Sequence, residues 1–312
     1  MKDVYKKQVS LLLDILPEIA KEEVFALHGG TAINLFCLNM PRLSVDIDLT
    51  YIPASDNRNA DFQNIRSALE RIKDRLKKLI PEISFADPIR AEAELKLICT
   101  TSEAMVKIEV NQINRGIIAD TETVVLCDNA QETFDKFCEV RMVSRKQLWG
   151  GKINAALDRQ HPRDLFDIKN LLNNNGFSSE IKEGFIFFLL CGKRPIYELL
   201  KPHSIDHSAV FESQFKGMTD SFFGYEEYEN TKKLLIKTIY ESLTKADKEF
   251  LLAFTKGEPD WTKVDYSNFP AIKWKLLNIN KLKDGNPQKY EKQVESLEQI
   301  LFDSIPKSVY IF

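Results

Sequence analysis

The chain has 312 residues, long enough for two domains, and 44% of them are hydrophobic while 29% are charged. This balance excludes a disordered chain and indicates a globular protein. The net charge of −3 excludes a general basic field, so a nucleic-acid partner would need a local basic patch. Five cysteines without a C-x-x-C pair favour a reduced, cytoplasmic protein, and no stretch is long and apolar enough to predict a membrane span.

The N-terminal half alternates helices with strands, beginning with an amphipathic helix at 4–20 and a strand at 23–28. Two β-rich runs, "LKLICTT" (95–101) and "AMVKIEVNQI" (104–113), flank a tight connection and predict a hairpin. The other predicted elements are helices at 31–39 and 60–80 and strands at 44–52 and 123–127. Strands mixed with helices predict the α+β (mixed α/β) class, with a small mixed sheet.

From Ser144 onward the pattern is helical. The stretches "SRKQLWGGKINAALDRQ" and "HPRDLFDIKNLLNNN" predict two helices, with Pro162 in the first turn of the second. A linker is predicted at "NNNGFSS" (173–179), followed by helices at 180–200, 225–243, 246–256 and 286–302. We therefore predict a sheet domain over residues 1–175 and a mainly helical domain over residues 176–312.

The strand "RLSVDIDLTY" alternates apolar and polar residues without error, so Asp46 and Asp48 share the face opposite the core. A rise of about 3.3 Å per residue separates these two residues by roughly 7 Å. Two ionised carboxylates at this spacing repel each other unless solvent or a cation screens them, and Mg²⁺ prefers such oxygen ligands. A solvated strand face is the alternative interpretation. Metal-dependent glycosyltransferases also share the Asp-x-Asp pattern.

A third acid follows on a later strand. In "AMVKIEV" the apolar residues share one face, and Lys107 and Glu109 share the other. If this strand lies beside the first, Glu109 joins Asp46 and Asp48, and the three carboxylates could hold two Mg²⁺ ions for in-line phosphoryl chemistry. The alternative is an edge strand whose Lys107 and Glu109 only face water.

A glycine turn precedes the acidic strand in "FALHGGTAINLF". Gly29 and Gly30 remove side chains where a ligand could approach the backbone, and Thr31 is a plausible N-cap for the following helix. The free N–H groups of a helix N-terminus can bind phosphate. A Gly-Gly-Thr sequence is usually only a turn, and its weight comes from its position just before the acidic pair.

Together, Gly29-Gly30-Thr31, Asp46-x-Asp48 and Glu109 resemble the polymerase-beta-like nucleotidyltransferase superfamily. The stretch "LHGGTAINLF…PRLSVDIDLTY" is similar to the AbiEii-type nucleotidyltransferases, toxins of bacterial abortive-infection and toxin–antitoxin systems. That family has a lysine on a helix, then an arginine, an Arg-Asp pair and a further acid. In this sequence the matching residues are Lys152, Arg159, Arg163, Asp164 and Asp167.

The resemblance implies transfer of a nucleotide from an NTP, with Mg²⁺ (or Mn²⁺) held by Asp46 and Asp48. It implies that Glu109 is a further metal ligand or the base for the acceptor, and that Lys152 neutralises the leaving pyrophosphate. Phosphate oxygens would contact the glycine turn and Thr31. It also implies a toxin with a cognate antitoxin and an RNA acceptor such as a tRNA 3′ end.

Helical spacing allows a second interpretation of these basic residues. Arg145, Lys152 and Arg159 recur every seven residues, which predicts a basic stripe that either holds phosphates or is simply solvated. Arg163 can pair with Asp167 at i,i+4. Asp164 and Asp167 either orient Lys152, bind the nucleotide or only stabilise the helix.

Two further interpretations of the function remain open. An antibiotic-type enzyme would use the same catalytic residues on a small-molecule acceptor, and a degenerate member would only bind nucleotide or RNA.

In the C-terminal half, "AIKWKLLNINKLK" (271–283) predicts either a plain amphipathic helix end or a mild RNA-binding patch. That patch would comprise four lysines around Trp274, namely Lys273, Lys275, Lys281 and Lys283.

Overall fold

The structure is a computed structural model that describes residues 1–86, 95–174, 176–262, 264 and 266–303. The chain forms two compact units, one of Met1–Leu148 with Gln214–Phe222 and one of Trp149–Ser213 with Phe223–Phe312. The combination of helices with a mixed sheet confirms the predicted α+β class. The predicted domain division at residue 175 stays a prediction, and Asn175, in the predicted linker, lies outside the described residues.

The first unit contains a mixed sheet and flanking helices. Its strands are β1 (Phe25–His28), β2 (Asp46–Tyr51), β3 (Ser84–Ala86), β4 (Lys96–Thr100), β5 (Met105–Val110), β6 (Glu122–Val125) and β7 (Glu139–Met142). Its helices are α1 (Asp3–Ala20), α2 (Gly29–Ala32), α3 (Arg58–Leu79) and α4 (Asp128–Phe134). A π-helical turn over Ile33–Cys37 continues α2. None of the described helices is long and apolar enough to cross a membrane.

The strand order, for the residues that the structure describes, is β3-β4-β5-β2-β1-β7-β6. β4 and β5 pair antiparallel, which confirms the predicted hairpin. β2 lies between β1, to which it is antiparallel, and β5, to which it is parallel. The sheet therefore brings β5, from a later hairpin, directly beside the acidic strand β2.

The predicted alternation along β2 is confirmed from Asp46 to Leu49, whereas Thr50, predicted on the face opposite the core, is only 1% exposed. Ile47, Leu49 and Tyr51 are at most 2% exposed, while Asp46 and Asp48 on the other face are half-buried. On β5, Val106, Ile108 and Val110 are likewise buried. The apolar faces of the two neighbouring strands thus pack into one core, which fixes the opposite face of the sheet as the place for polar side chains.

The second unit is helical. The chain enters it along α5 (Arg145–Arg159), whose apolar residues Trp149, Ile153, Ala156 and Leu157 are buried as predicted. The helices that follow are α6 (Pro162–Asn174), α7 (Ser179–Cys191), α8 (Ile196–Leu200), α9 (Ser208–Val210), α10 (Tyr225–Ser242), α11 (Lys245–Thr255), α12 (Pro270–Gly285) and α13 (Pro287–Phe302). A second π-helical turn, Phe211–Phe215, follows α9.

Some elements differ from the predictions. The single helix predicted at 180–200 is two helices, because α7 ends before Gly192 and Pro195 precedes α8. Four short elements, β3, α4, β7 and α9, were not predicted. Each has seven residues or fewer, which gives the periodicity of the sequence little to act on.

Candidate active site

The predicted acidic residues lie on one face of the sheet. The strand register pairs Asp48 with Glu109 across β2 and β5, and Asp46 with Lys107. Paired residues on neighbouring strands point to the same face. The row through Asp48 continues on both sides, to His28 on β1 and to Lys96 on β4. The prediction that Glu109 lies on a strand beside Asp46 and Asp48 is confirmed.

An ion pair lies within this face. Lys107 Nζ is 2.7 Å from Glu109 Oε2, with side chains 38% and 50% exposed. Partial burial lowers the pKa of Lys107, but the hydrogen bond to Glu109 and the charges of Asp46, Glu109 and Asp48 raise it above its usual value. Lys107 is therefore a firmly protonated cation among three carboxylates.

The carboxylates of Asp46, Asp48 and Glu109 do not converge on one point as the ligands of a bound metal ion do. Across the part of the chain that the structure describes, no three His, Cys, Asp or Glu side chains are grouped closely enough to hold a metal ion. Glu109 turns towards Lys107 instead. The chemistry of the donors nevertheless fits a hard divalent cation, because Asp46, Asp48 and Glu109 offer only carboxylate oxygens and share one open sheet face.

The glycine turn packs directly against Asp48. Gly29 has a φ of +74°, and a Cβ placed on it would lie 2.2 Å from Asp48 Oδ2. At Gly30 an added Cβ would lie 2.9 Å from Ser44 Oγ and 3.0 Å from Arg42 Nη2. The space beside the two glycines is therefore filled by side chains of the protein itself, and the predicted approach of a ligand stays a prediction.

Thr31 is not the N-cap that the sequence suggested. The helix begins at Gly29, so Thr31 lies inside α2, where it is fully buried. Its hydroxyl donates to the Asp46 carbonyl oxygen at 2.5 Å and lies 3.1 Å from Ser44 Oγ. Thr31 thus ties the glycine turn to the start of β2 and holds Asp46 in place.

Two features that support β2 were missed. The guanidinium of Arg42, only 2% exposed, donates to the Leu43 carbonyl oxygen and adjoins the glycine turn.

The second feature is a segment far along the sequence, Gln214–Phe222, which belongs to this unit. Within it Met218 accepts a hydrogen bond from the Leu43 N–H at 2.8 Å, and Thr219 donates to the Pro41 carbonyl oxygen. The arginine inside "PRLS" could have indicated the contact made by Arg42. No local pattern indicates that Gln214–Phe222 joins this unit.

The second unit holds the other predicted site residues. Lys152 Nζ lies 2.8 Å from Asp164 Oδ1 and 3.0 Å from Asp167 Oδ2, and all three side chains are at most 6% exposed. Arg159 donates to both oxygens of Asp164, at 2.6 and 3.0 Å, while its side chain stays 63% exposed. Arg163 is half-buried in the first turn of α6. We call Lys152, Arg159, Asp164 and Asp167 the buried charge cluster.

The charges in this cluster are balanced by contact. Burial raises the pKa of Asp164, but Lys152 and Arg159 together hold it well below its usual range. Isolated buried carboxylates are costly, so the two acids require these cations. Of the roles left open for Asp164 and Asp167, these contacts favour the orientation of Lys152.

The turn between α5 and α6 sets up the cluster. Gln160 has a φ of +49° and is 1% exposed. Its side chain donates to the His203 carbonyl oxygen, and its own carbonyl oxygen accepts from the Tyr228 hydroxyl. Pro162 then begins α6, as predicted. This fixed reversal of the chain brings Asp164 and Asp167 against Lys152 on the preceding helix.

The predicted basic stripe on α5 is corrected by these contacts. Arg145 and Arg159 are exposed, but Lys152 is 6% exposed. The spacing of seven residues placed Arg145, Lys152 and Arg159 on one helix face. It could not show that two carboxylates of α6 cover Lys152, in the middle of that face.

We expect replacement of Gly29 by alanine to disturb the acidic face. The left-handed backbone costs about 1–2 kcal/mol, and overlap with Asp48 Oδ2 adds about 1–3 kcal/mol. Gly176→Ala is the matched control, because Gly176 also has a positive φ, +67°, but has nothing within 4 Å of an added Cβ. Urea denaturation should show a clearly larger loss of unfolding free energy for Gly29→Ala. Equal losses would contradict the packing of Asp48 on Gly29.

Loss of Lys152 should shift acid unfolding to higher pH. The lowered pKa of Asp164 contributes stability at neutral pH that is lost as pH falls through the pKa values of the unfolded and then the folded state. Lys152→Met removes the charge that lowers the pKa of Asp164 most. That pKa therefore rises, and Asp164 is protonated at a higher pH. Circular dichroism across a pH titration measures the midpoint. Lys245→Met, which removes an exposed lysine 3.7 Å from Glu249, is the control and should leave it unchanged; an unshifted midpoint in Lys152→Met would oppose this view of the cluster.

The chain is similar to one known protein family and to solved structures. A family model described as "Nucleotidyl transferase AbiEii toxin, Type IV TA system" matches residues 10–276. Among solved structures, MenT4, a nucleotidyltransferase toxin from Mycobacterium tuberculosis H37Rv, is similar with a TM-score of 0.60 at 12% identity, covering 89% of this chain and 95% of that chain. An H. pylori protein described provisionally as a nucleotidyltransferase has a TM-score of 0.47 at 16% identity, covering 79% and 99%. No curated protein sequence matches significantly.

The likeness to MenT4 shows a shared fold, and the family match spans most of the chain, including both the acidic face and the buried charge cluster. The predicted resemblance is therefore confirmed. The chain belongs to the AbiEii family of nucleotidyltransferase toxins of type IV toxin–antitoxin systems, and the protein is a nucleotidyltransferase.

Proposed function

We propose that the protein transfers a nucleoside monophosphate from an NTP to an RNA acceptor in the cytoplasm. In this reaction an acceptor hydroxyl oxygen bonds to the α-phosphorus, the bond between the α- and β-phosphates breaks, and pyrophosphate leaves. The observation that carries the proposal is the packing of the Asp48 carboxylate against Gly29, which brings an acid and a side-chain-free backbone together on the open sheet face.

The residues proposed to hold Mg²⁺ or Mn²⁺ are Asp46, Asp48 and Glu109. When bound, such an ion neutralises phosphate oxygens and activates the acceptor hydroxyl. Asp46 is positioned through its backbone by Thr31, and Asp48 by its packing against Gly29. Glu109 is half-exposed and can serve either as a ligand or as the base that takes the acceptor proton.

We assign phosphate contact to the backbone at Gly29 and Gly30, an assignment that follows the family motif; their missing side chains make room for Asp48, Ser44 and Arg42. Thr31 contributes by fixing Asp46, because its buried hydroxyl already donates to the backbone. Lys152 and Arg159 are the proposed cations for the triphosphate, an assignment that follows the family motif. Asp164 and Asp167 orient Lys152, and Arg163 stays a proposed nucleotide contact.

The direct test is transfer of label from the four α-³²P-labelled NTPs to total RNA in the presence of Mg²⁺. We expect Asp48→Asn to lower the transfer rate by at least about 100-fold, since it removes a charged group from the reacting site. Asp74→Asn, on the exposed side of α3, is the matched control and should keep the wild-type rate.

Both variants should show wild-type circular dichroism and thermal unfolding. Full transfer by Asp48→Asn would contradict the assignment of the acidic face. Label that appears only on small molecules added to the reaction would instead favour the antibiotic-type acceptor over RNA.

An RNA contact is proposed on α12, with one correction to the predicted patch. Lys275 does not belong to it, because its ammonium group donates to the carbonyl oxygens of Gly192 and Arg194 at the end of α7. Trp274 is 60% exposed, and Lys281 Nζ lies 5.9 Å from the centre of its ring. An exposed indole beside a cation suits stacking on an unpaired base next to a phosphate.

The α12 contact can be tested by RNA binding at several salt concentrations. Trp274→Ala should weaken binding by about 1–3 kcal/mol, the usual value of one stacked base. Lys281→Ala should reduce the slope of log affinity against log salt by about 0.7. Lys237→Ala, on α10, removes a similarly exposed lysine and should change neither quantity. Unchanged binding in the α12 variants would contradict an RNA contact on this helix.

The family implies one further partner. Toxins of type IV systems are encoded with an antitoxin, so we propose that a cognate antitoxin limits this activity in the cell. Growth arrest on expression of the chain alone, relieved by the neighbouring gene, would support that partner.

A further inference from the structure

We propose that Lys107 is an internal counter-cation of the acidic face, which holds Glu109 away from a divalent ion until the ion replaces it. Lys107 would thereby set how tightly the face binds metal. This inference rests on the proposed metal-binding role of Asp46, Asp48 and Glu109, and it goes beyond that role by naming a positioning residue that the family motif does not include.

The geometry places Lys107 inside the acidic face. It lies two residues before Glu109 on β5, so both side chains leave the same side of the strand, and their charged atoms are 2.7 Å apart. The register sets Lys107 opposite Asp46 and Glu109 opposite Asp48. One lysine thus neighbours an acid across the strand and an acid along the strand.

Charge balance gives Lys107 its role. Three carboxylates on one face repel each other unless solvent or a cation screens them. Lys107 supplies a cation to this face in the structure, where it contacts Glu109. Glu109 is thereby directed towards Lys107, although the sheet register aligns it with Asp48.

The pair is also easy to exchange. Lys107 and Glu109 are both more than a third exposed, and exposed ion pairs contribute only about 0.2–1 kcal/mol. A divalent ion carries twice the charge of a lysine and can displace it from Glu109. A fully buried pair, like that between Lys152 and Asp164, would not be released so readily.

The test is direct titration with Mn²⁺, followed by electron paramagnetic resonance of the free ion, without any nucleotide. We expect Lys107→Gln to bind Mn²⁺ about fivefold more tightly than wild type, the change that corresponds to ~1 kcal/mol for an exposed pair. Lys107→Arg keeps the charge and should restore an affinity within about twofold of wild type. Lys7→Gln, which breaks an exposed pair with Glu103 at 3.0 Å, is the matched control and should leave the affinity unchanged.

A double-mutant cycle shows whether Lys107 acts through Glu109. In the Glu109→Gln background, Lys107→Gln should change Mn²⁺ affinity by less than half as much as in wild type, because the competing pair is already gone. Thermal unfolding of each variant checks that the fold is kept.

The outcomes separate this inference from the proposed function. Equal Mn²⁺ affinity of wild type and Lys107→Gln, with binding still lost in Asp48→Asn, would overturn the role of Lys107 and leave the metal site standing. Mn²⁺ binding that does not depend on Asp48 would overturn the metal site, and the counter-cation role with it.

Discussion

The register between β1, β2 and β5 determines both the core of the first unit and the positions of its acids. It sets Asp48 between His28 and Glu109, and it keeps the apolar sides of the same strands in the core. A slip of one residue would bury the acids and expose Ile47 and Leu49, so the packing of the core and the position of the acids are one requirement. Thr31 and the Gln214–Phe222 segment reinforce the chain just before β2, where such a slip would begin.

Two sets of charges in this protein are arranged by opposite physical rules. On the acidic face the carboxylates and Lys107 remain partly exposed, so water and ions can screen them and their pairing can change at little cost. In the buried charge cluster, Lys152 is enclosed with Asp164 and Asp167, and removal of Lys152 leaves buried carboxylate charge uncompensated. The first arrangement suits the exchange of ligands, and the second suits the rigid placement of a cation and of the exposed Arg159 that shares Asp164.

The sequence was informative wherever a local pattern determines the result. Strict alternation in "RLSVDIDLTY" was sufficient to place Asp46 and Asp48 opposite the core, and the Pro162 signal located the start of α6. The sequence pattern did not predict features that depend on contacts between residues distant in the chain. Thr31 is an interior helix residue because α2 begins at Gly29. Lys152 is covered because Gln160 reverses the chain, and Lys275 donates to the carbonyl oxygens of Gly192 and Arg194. No periodicity encodes which partner a polar side chain will find.

We propose that a divalent ion and an NTP bind on the sheet face that carries Asp46 and Asp48. Crystals grown with Mn²⁺ and a non-hydrolysable NTP, measured at the manganese absorption edge, would locate both. We expect an anomalous peak within coordination distance, about 2.0–2.6 Å, of carboxylate oxygens of Asp46 and Asp48, with the triphosphate beside Gly29 and Gly30. A manganese peak bound to other residues, or nucleotide density away from the glycine turn, would contradict it.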